Sequence, residues 1–390
     1  MATADSSAAR ARVGLGAVLV QWGRIGCVGF GGPPTHVALL RDLCVDRRRW
    51  LDASEFEDAI AACNLLPGPA STQLAIFCAW SVAGPAGAVI GGAAFILPGL
   101  VVILGLAAVF LAASPPLWVL GAGAGAGAAV AAVAVHAGTG LIPASWKRTP
   151  ARARWLAYLL AGGLAAATVG PWLVVALLGC GAIELGVRRI GTTGRLEMHA
   201  SPVLLAAATA APVGGVLALV WVALKVGALS YGGGFVIIPL MQHDAVRHYH
   251  WMTSSQFLDA VALGQITPGP VVQTVAVVGY AAAGIGGGLL AALVAFSPSF
   301  VFVLGGARHF QTLRQNASAR AFLDGAGPAA IGAIIGVAIP LALAVGQAWQ
   351  LAVLAGAAVS LLVLRRSVVL TLLIAAIVGI VVVQLGAPLP

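Results

Sequence analysis

The sequence predicts an all-α polytopic membrane protein built as two homologous halves in an inverted repeat, with about ten crossing helices and two broken or re-entrant segments. Three observations carry this. Of 390 residues, 60% are hydrophobic and 8% charged, where a soluble domain carries about 25% charged residues. The apolar residues fall in long unbroken runs, and the mean hydropathy is +1.01. Shifted by 201 residues, the chain matches itself without a gap from Arg24 to Pro69, with 14 of 46 positions identical. This composition supplies no soluble surface, which excludes a cytosolic enzyme. An outer-membrane barrel would alternate polar and apolar residues, and these runs do not.

In the first half, apolar runs predict crossings near 13–32, 85–112, 116–140, 153–169 and 171–187. In the second they fall near 203–233, 285–305, 327–346, 349–363 and 367–386. Each half also holds a segment interrupted by Pro-Gly-Pro, at 54–80 and 255–283. Proline removes a backbone donor and disfavours helix in the residue before it, so neither segment can be one straight helix. The duplication divides the chain into repeats at 1–199 and 200–390, as in many secondary transporters.

Loop charge tests the topology. Lys and Arg number 21 against 12 Asp and Glu, and the net charge is +9. The excess clusters in short loops, at Arg47–Arg49, Lys147–Arg154, Arg188–Arg195, Arg308–Arg320 and Arg365–Arg366. This is a positive-inside pattern rather than a nucleic-acid footprint. With the last four loops in the cytoplasm, counting back places Arg47–Arg49 inside, provided 54–80 does not cross, and their counterparts His248–Tyr249–His250 outside. Three arginines in one half against none in the other is what inversion requires. Arg10 and Arg12 would then lie outside, which fits poorly. The first residues lack the layout of a cleaved signal peptide. The five cysteines have no ligand spacing and no phosphate-binding loop is present, so no metal, cofactor or ATP coupling is expected.

Candidate functional residues come from the repeat. Gly31 and Gly32 match Gly232 and Gly233, with Gly234 following; successive N–H groups in glycine clusters form anion-binding nests. The alternative is close helix packing. Pro67-Gly68-Pro69 matches Pro268-Gly269-Pro270, and a broken helix in a membrane is tolerated only within protein or along a cavity. Asn64, Ser71, Thr72 and Gln73 flank the first break, and Gln265, Thr267, Gln273 and Thr274 the second; all can donate to a tetrahedral oxyanion, or simply cap a structural kink. Arg24 and Lys225 are equivalent cations in apolar runs, suited to balancing an anion or to snorkelling. Asp58 and Asp259 are the one repeat-equivalent carboxylate pair, with Glu55 on the helical face of Asp58. A partly buried carboxylate can carry a proton; an ion pair or a helix-terminal charge is the plain alternative. Glu184 and Asp324 are expected to be structural. His36, His243, His248 and His250 are expected in loops or core.

At these residues, in the stretches Arg24–Gln73 and Ser230–Thr274, the sequence resembles the chromate ion transporter family in its long, two-domain form. The shared features are a Gly-Gly cluster, a Trp-led loop at Trp50 and Trp251, and Pro-Gly-Pro in each half. The resemblance implies a multi-pass secondary transporter of the cytoplasmic (inner) membrane that exports chromate and confers chromate resistance, with sulfate as structural analogue. It also implies oppositely oriented halves. The expected partners are chromate or sulfate as transported substrate and the lipid bilayer, with a homodimer as the candidate assembly and no nucleic acid. One departure is Gly234, where the first half has Pro33. The alternatives are a carrier of sulfate or another oxyanion, an uncoupled anion channel, and an intramembrane chromate reductase, which no flavin, haem or paired-cysteine pattern supports.

Overall fold

The computed structural model describes residues 13–64, 66–149, 151–168, 173–193, 214–230, 234–306 and 316–390. Every regular element among them is helical. The first half opens with α1 (Leu15–Val28) and α2 (Pro33–Arg41), which runs into a π-helical turn at Asp42–Arg47. α3 (Ala53–Cys63) leads to the first Pro-Gly-Pro elbow, and α4 (Ala70–Phe110) follows, bent at Gly84. α5 (Leu117–Arg148), α6 (Arg152–Thr168) and α7 (Leu173–Thr193) complete this half.

The second half repeats the order. α8 (Gly215–Leu229) precedes a 3-10 turn at Phe235–Ile237, α9 (Ile238–Gln242) and a π turn at His243–His248. α10 (Ser254–Ile266) starts in a capping box of Thr253 and Gln256 and ends at the second elbow. α11 (Thr274–Gly306) is bent at Gly284. α12 (Ala317–Gly336), α13 (Ala338–Leu343), α14 (Ala348–Ala358) and α15 (Val368–Gln384) follow.

The duplication extends to single dihedrals. The matching π turns are each followed, two residues on, by a left-handed residue, Arg49 at φ 51° and His250 at φ 53°; a third π turn, Val359–Val363, leads to Arg365 at φ 53° in the same way. The corners at Gly84 (φ 69°, ψ −162°) and Gly284 (φ 64°, ψ −158°) use a conformation open essentially to glycine alone. Beyond the elbows the register drops from 201 to 200, because a 3-10 turn at Val271–Gln273 replaces helix in the second half. Gln73 then matches Gln273, Gly84 matches Gly284 and Pro98 matches Pro298.

The predicted crossings at 85–112 and 285–305 are the second arms of α4 and α11. The predicted broken segments are a helix, an elbow and a helical arm that turns back at the corner. Some predicted boundaries are corrected. The loop expected around 143–154 is mostly helix, since α5 continues through Pro143 to Arg148; neighbouring groups can satisfy a carbonyl freed by proline. α12 starts at Ala317 rather than near 327, because the Asn316 side chain accepts from the N–H groups of Ser318 and Ala319. Residues 203–213 of a predicted crossing lie outside the described residues.

Packing interleaves the halves. Phe300 lies on Gly92 and Leu104 on Gly288, so the equivalent helices α4 and α11 cross antiparallel. α5 packs against α14 and α15, and in the reciprocal contact α12 packs against α6 and α7. Glycine permits this intimacy: Gly125 meets Ala375 backbone, and Gly162 meets that of Ala329. Glu184 binds Arg154, Arg188 and Tyr158, and Arg188 also reaches Asp324, tying α6, α7 and α12 at one point. Among the described residues four helical spans are long and apolar enough to cross a membrane, Ala70–Phe110, Leu117–Lys147, Val271–Gly306 and Ala317–Leu343. Val101, Leu293, Val301 and Leu343 stand exposed on them. An apolar outer face of this kind suits lipid. The molecule is thus an all-helical, polytopic membrane protein.

Candidate functional site

Each Pro-Gly-Pro elbow is lodged in the opposite half. The Gly269 N–H donates to the Gly29 carbonyl, just past α1, at 3.0 Å. A Cβ on Gly99 would stand 2.0 Å from the Pro268 carbonyl oxygen, so the elbow rests on bare α4 backbone. Gln273 Nε2 donates to the Ile96 carbonyl at 2.8 Å. In the reciprocal contact, Gly68 faces the Gly227 carbonyl of α8 and Ser299 of α11, whereas Gln73 Nε2 donates within its own half, to the Pro67 carbonyl at 2.6 Å. Position 99 in one half is position 299 in the other, so two equivalent docks differ by one serine side chain.

Prolines 98 and 298 interrupt the helical ladder beside these docks. Pro298 frees the Val294 carbonyl, which accepts from the Ser297 hydroxyl at 2.8 Å. His36 on α2, fully buried, donates from Nε2 to the Gly29 carbonyl at 2.9 Å. That fixes the neutral tautomer, so Nδ1 accepts from Ser71 at 3.3 Å. The Phe95 ring meets His36 edge-on at 4.9 Å. One carbonyl, Gly29, therefore joins a histidine of the first half to the elbow of the second.

Among the described residues, six of the nine buried polar atoms that lack a partner lie in this region: Thr72 Oγ1, Gln73 Oε1, Ser230 Oγ, Gln265 Nε2, Gln273 Oε1 and Ser299 Oγ; the others are Ser81 Oγ, His243 Nδ1 and Asp259 Oδ1. Each costs about 1–3 kcal/mol when left unmade. A water, an ion or a ligand can supply such a missing partner.

The sequence-predicted residues distribute unevenly. Gly31 (φ 97°) and Gly32 (φ 75°) form the turn into α2, and Gly32 faces Val271 just past the second elbow. Gly234 (φ 96°) packs on Val271 and Val272. Gly232 and Gly233 lie outside the described residues. Gly68, Pro69, Thr72, Pro268, Gly269, Pro270 and Gln265 are buried at the elbows, whereas Asn64 and Pro67 are exposed. Thr267 and Thr274 are corrected as anion donors: their hydroxyls donate to the backbone carbonyls of Leu263 and Val271, at 2.8 and 2.9 Å. Ser71 is turned to His36 and is likewise engaged. Lys225 is not a free cation, since it pairs with Asp244 at 2.5 Å and both are largely buried. Arg24 stands on an exposed part of α1, off the face that buries Trp22 and Gly26. Glu55 and Asp58 are half-buried on α3. Asp259 packs its carboxyl against Gly123 and Gly127 of α5, with Oδ1 unpartnered.

Sequence reasoning missed Ser230, Ser299 and Gly99, and read His36 as a loop or core residue. A usable signal was the second register: at a shift of 200, Pro98-Gly99 matches Pro298-Ser299.

Discontinuous helices meeting in the core of an apolar bundle, with half-helix ends and unpartnered polar groups around them, define the class of membrane protein in which transport sites are built. Comparison with known proteins narrows the class. The family model described as chromate transporter matches residues 16–185 and 217–380, and the chain belongs to that family. It is 30% identical to a chromate transport protein of Cupriavidus metallidurans, over 82% of this chain and 80% of that one. It is 28% identical to a chromate transport protein of Pseudomonas aeruginosa, over 82% and 79%. An uncharacterised transporter of Methanocaldococcus jannaschii is 24% identical over 93% of both chains. No solved structure matches.

Proposed function

We propose that this protein is a secondary active transporter that exports chromate across the cytoplasmic membrane and confers chromate resistance, by alternating access around an oxyanion site at the two elbows. The observation that carries the reading is the reciprocal lodging of each Pro-Gly-Pro elbow in the opposite half, amid buried polar groups that lack partners. Family membership supports chromate as cargo. The antiparallel crossing of the equivalent helices α4 and α11 supports an inverted pair of repeats, 1–199 and 200–390. Inverted repeats pivoting about a central site give alternating access by a rigid rocking of one half against the other.

In this scheme Thr72, Ser230, Ser299 and Gln265 donate to the oxyanion, with Gly31, Gly32, Gly232, Gly233 and Gly234 contributing backbone N–H groups. Asp259 carries the coupling proton, since protonation removes a charge packed against bare glycine backbone; Asp58 is its first-half counterpart, with Glu55 on the same helical face. Export of a dianion is assisted by an inside-negative potential at about 2.3 kcal/mol per charge per 100 mV. The test is chromate accumulation in everted membrane vesicles, with and without a proton gradient, and with excess sulfate. Gradient-dependent accumulation is expected. Accumulation of sulfate but no chromate would overturn the cargo, and flux indifferent to every gradient but that of chromate would reduce the protein to a channel.

A further inference from the structure

Among the unpartnered groups at the elbows, two differ in kind from the rest. The hydroxyls of Thr72, Ser230 and Ser299 can donate or accept, and the Gln265 amide nitrogen donates. The side-chain oxygens of Gln73 and Gln273 can only accept. Their orientation is fixed, because each Nε2 already donates to a carbonyl, Pro67 in one case and Ile96 in the other. Turning either amide over would set two acceptors face to face. Both side chains are fully buried, and both oxygens lack a partner. They occupy matching positions in the two halves.

A bare tetrahedral dianion presents only acceptors and cannot satisfy these oxygens. A tetrahedral oxyanion that carries one proton can satisfy one of them at a time: its hydroxyl donates to a glutamine oxygen while its remaining oxygens accept from the hydroxyls and N–H groups around the elbow. We propose that the species recognised at the elbows is the monoprotonated oxyanion, hydrogen chromate, with Gln73 and Gln273, one in each half, as alternative acceptors that read its hydroxyl. This rests on the oxyanion-site reading above and deepens it into a basis for selectivity. Hydrogen chromate loses its proton near neutral pH, whereas hydrogen sulfate and hydrogen selenate lose theirs only in strong acid. A site built to bond a hydroxyl rejects the analogue lacking it, because buried polar groups stay unpaired. The two tetrahedral ions are thus told apart by a proton rather than by size.

The experiment is equilibrium binding of chromate and of selenate to the purified full-length protein in lipid nanodiscs, across about pH 6 to 9. The protein's own titratable groups around the elbows are His36, Asp259, Glu55, Asp58 and the Lys225–Asp244 pair. Their effects fall on both anions. Hydrogen selenate is too scarce in this range to compete, so selenate enters only as the weakly bound dianion, and the ratio of the two dissociation constants isolates the proton on chromate. The expected result is a preference for chromate that grows about tenfold per pH unit as pH falls through the range where chromate is a dianion, then levels off. Gln73→Met and Gln273→Met, checked for unchanged melting, should flatten that slope while selenate binding persists. A pH-independent ratio with chromate still bound would overturn this inference and leave the transport reading standing. Chromate bound only when Na⁺ is present, and lost in choline, would also overturn it by assigning the two acceptors to a cation. Binding of neither anion at any pH would sink the oxyanion site itself.

Discussion

Gly99→Ala is the sharpest probe of the elbow architecture. The added methyl would stand 2.0 Å from the Pro268 carbonyl and 2.5 Å from Gln273 Oε1. The first of these is backbone and cannot swing aside. Relief requires the second elbow to move away from α4, which strains or breaks two hydrogen bonds, Gln273 to Ile96 and Gly269 to Gly29. Overpacking of this sort costs about 1–3 kcal/mol, and the two bonds contribute about 1 kcal/mol each. The expected loss is therefore about 3–5 kcal/mol. Two controls isolate the mechanism. Gly105 is on the same helix with nothing near its absent side chain, so Gly105→Ala should be neutral or stabilise by about 0.5–1 kcal/mol through helix propensity. Gly162→Ala would meet the Ala329 carbonyl at 1.9 Å, remote from the elbows. It should cost comparable stability yet leave the KM of the surviving protein unchanged. The assays are thermal melting in detergent and initial chromate flux in vesicles. Melting and KM for Gly99→Ala that match Gly105→Ala would refute the proposed docking, as would a Gly162→Ala variant that shifts KM equally.

Other expectations follow from the same geometry. Lys225→Ala should destabilise by about 3 kcal/mol by stranding Asp244, and Lys225→Ala combined with Asp244→Asn should recover most of that; a double variant as weak as the single one would contradict a self-contained pair. Asp259→Asn should retain chromate exchange under equal gradients while losing the response of net flux to a proton gradient, whereas an unchanged response would remove Asp259 as carrier. His36→Ala should lower stability by about 1–3 kcal/mol by stranding Ser71 and weakening the Gly29 junction, with His36→Gln restoring part of the loss in melting curves. Glu184→Ala should leave Arg154 and Arg188 without their buried partner and cost about 2–3 kcal/mol, read by melting, with little effect on KM.

The chain-level design was largely legible because hydrophobic runs and a gapless repeat are long signals that no single residue controls. The breaks at Pro67–Pro69 and Pro268–Pro270 were equally legible, since proline acts through its own covalent geometry. The corners at Gly84 and Gly284 were not, because one glycine among 51 is indistinguishable until its φ is known. Lys225 illustrates a different limit. Its charge was visible, but the compensating Asp244 is brought to it by a π turn that has no sequence signature of its own. Thr267 and Thr274 were misjudged for a related reason: a hydroxyl in a helix can bond back to its own carbonyl ladder, and only geometry says which threonine does so. Ser299 was hidden by the one-residue change of register past the elbow.

The exchange of helices between the halves has a consequence for biogenesis. α5 finds its packing partners in α14 and α15, and α6 and α7 wait for α12. When the first repeat leaves the ribosome and enters the membrane, α1 can close on α4, but the main packing surfaces of α5, α6 and α7 have no first-half partner to match those that arrive later. Its glycine-lined α5 stays provisional until the last helices of the chain arrive. Assembly is then a late event that completes both repeats together, and expression of either half alone should yield a membrane-inserted chain that proteases digest, while the two halves made as separate polypeptides in one cell should protect each other.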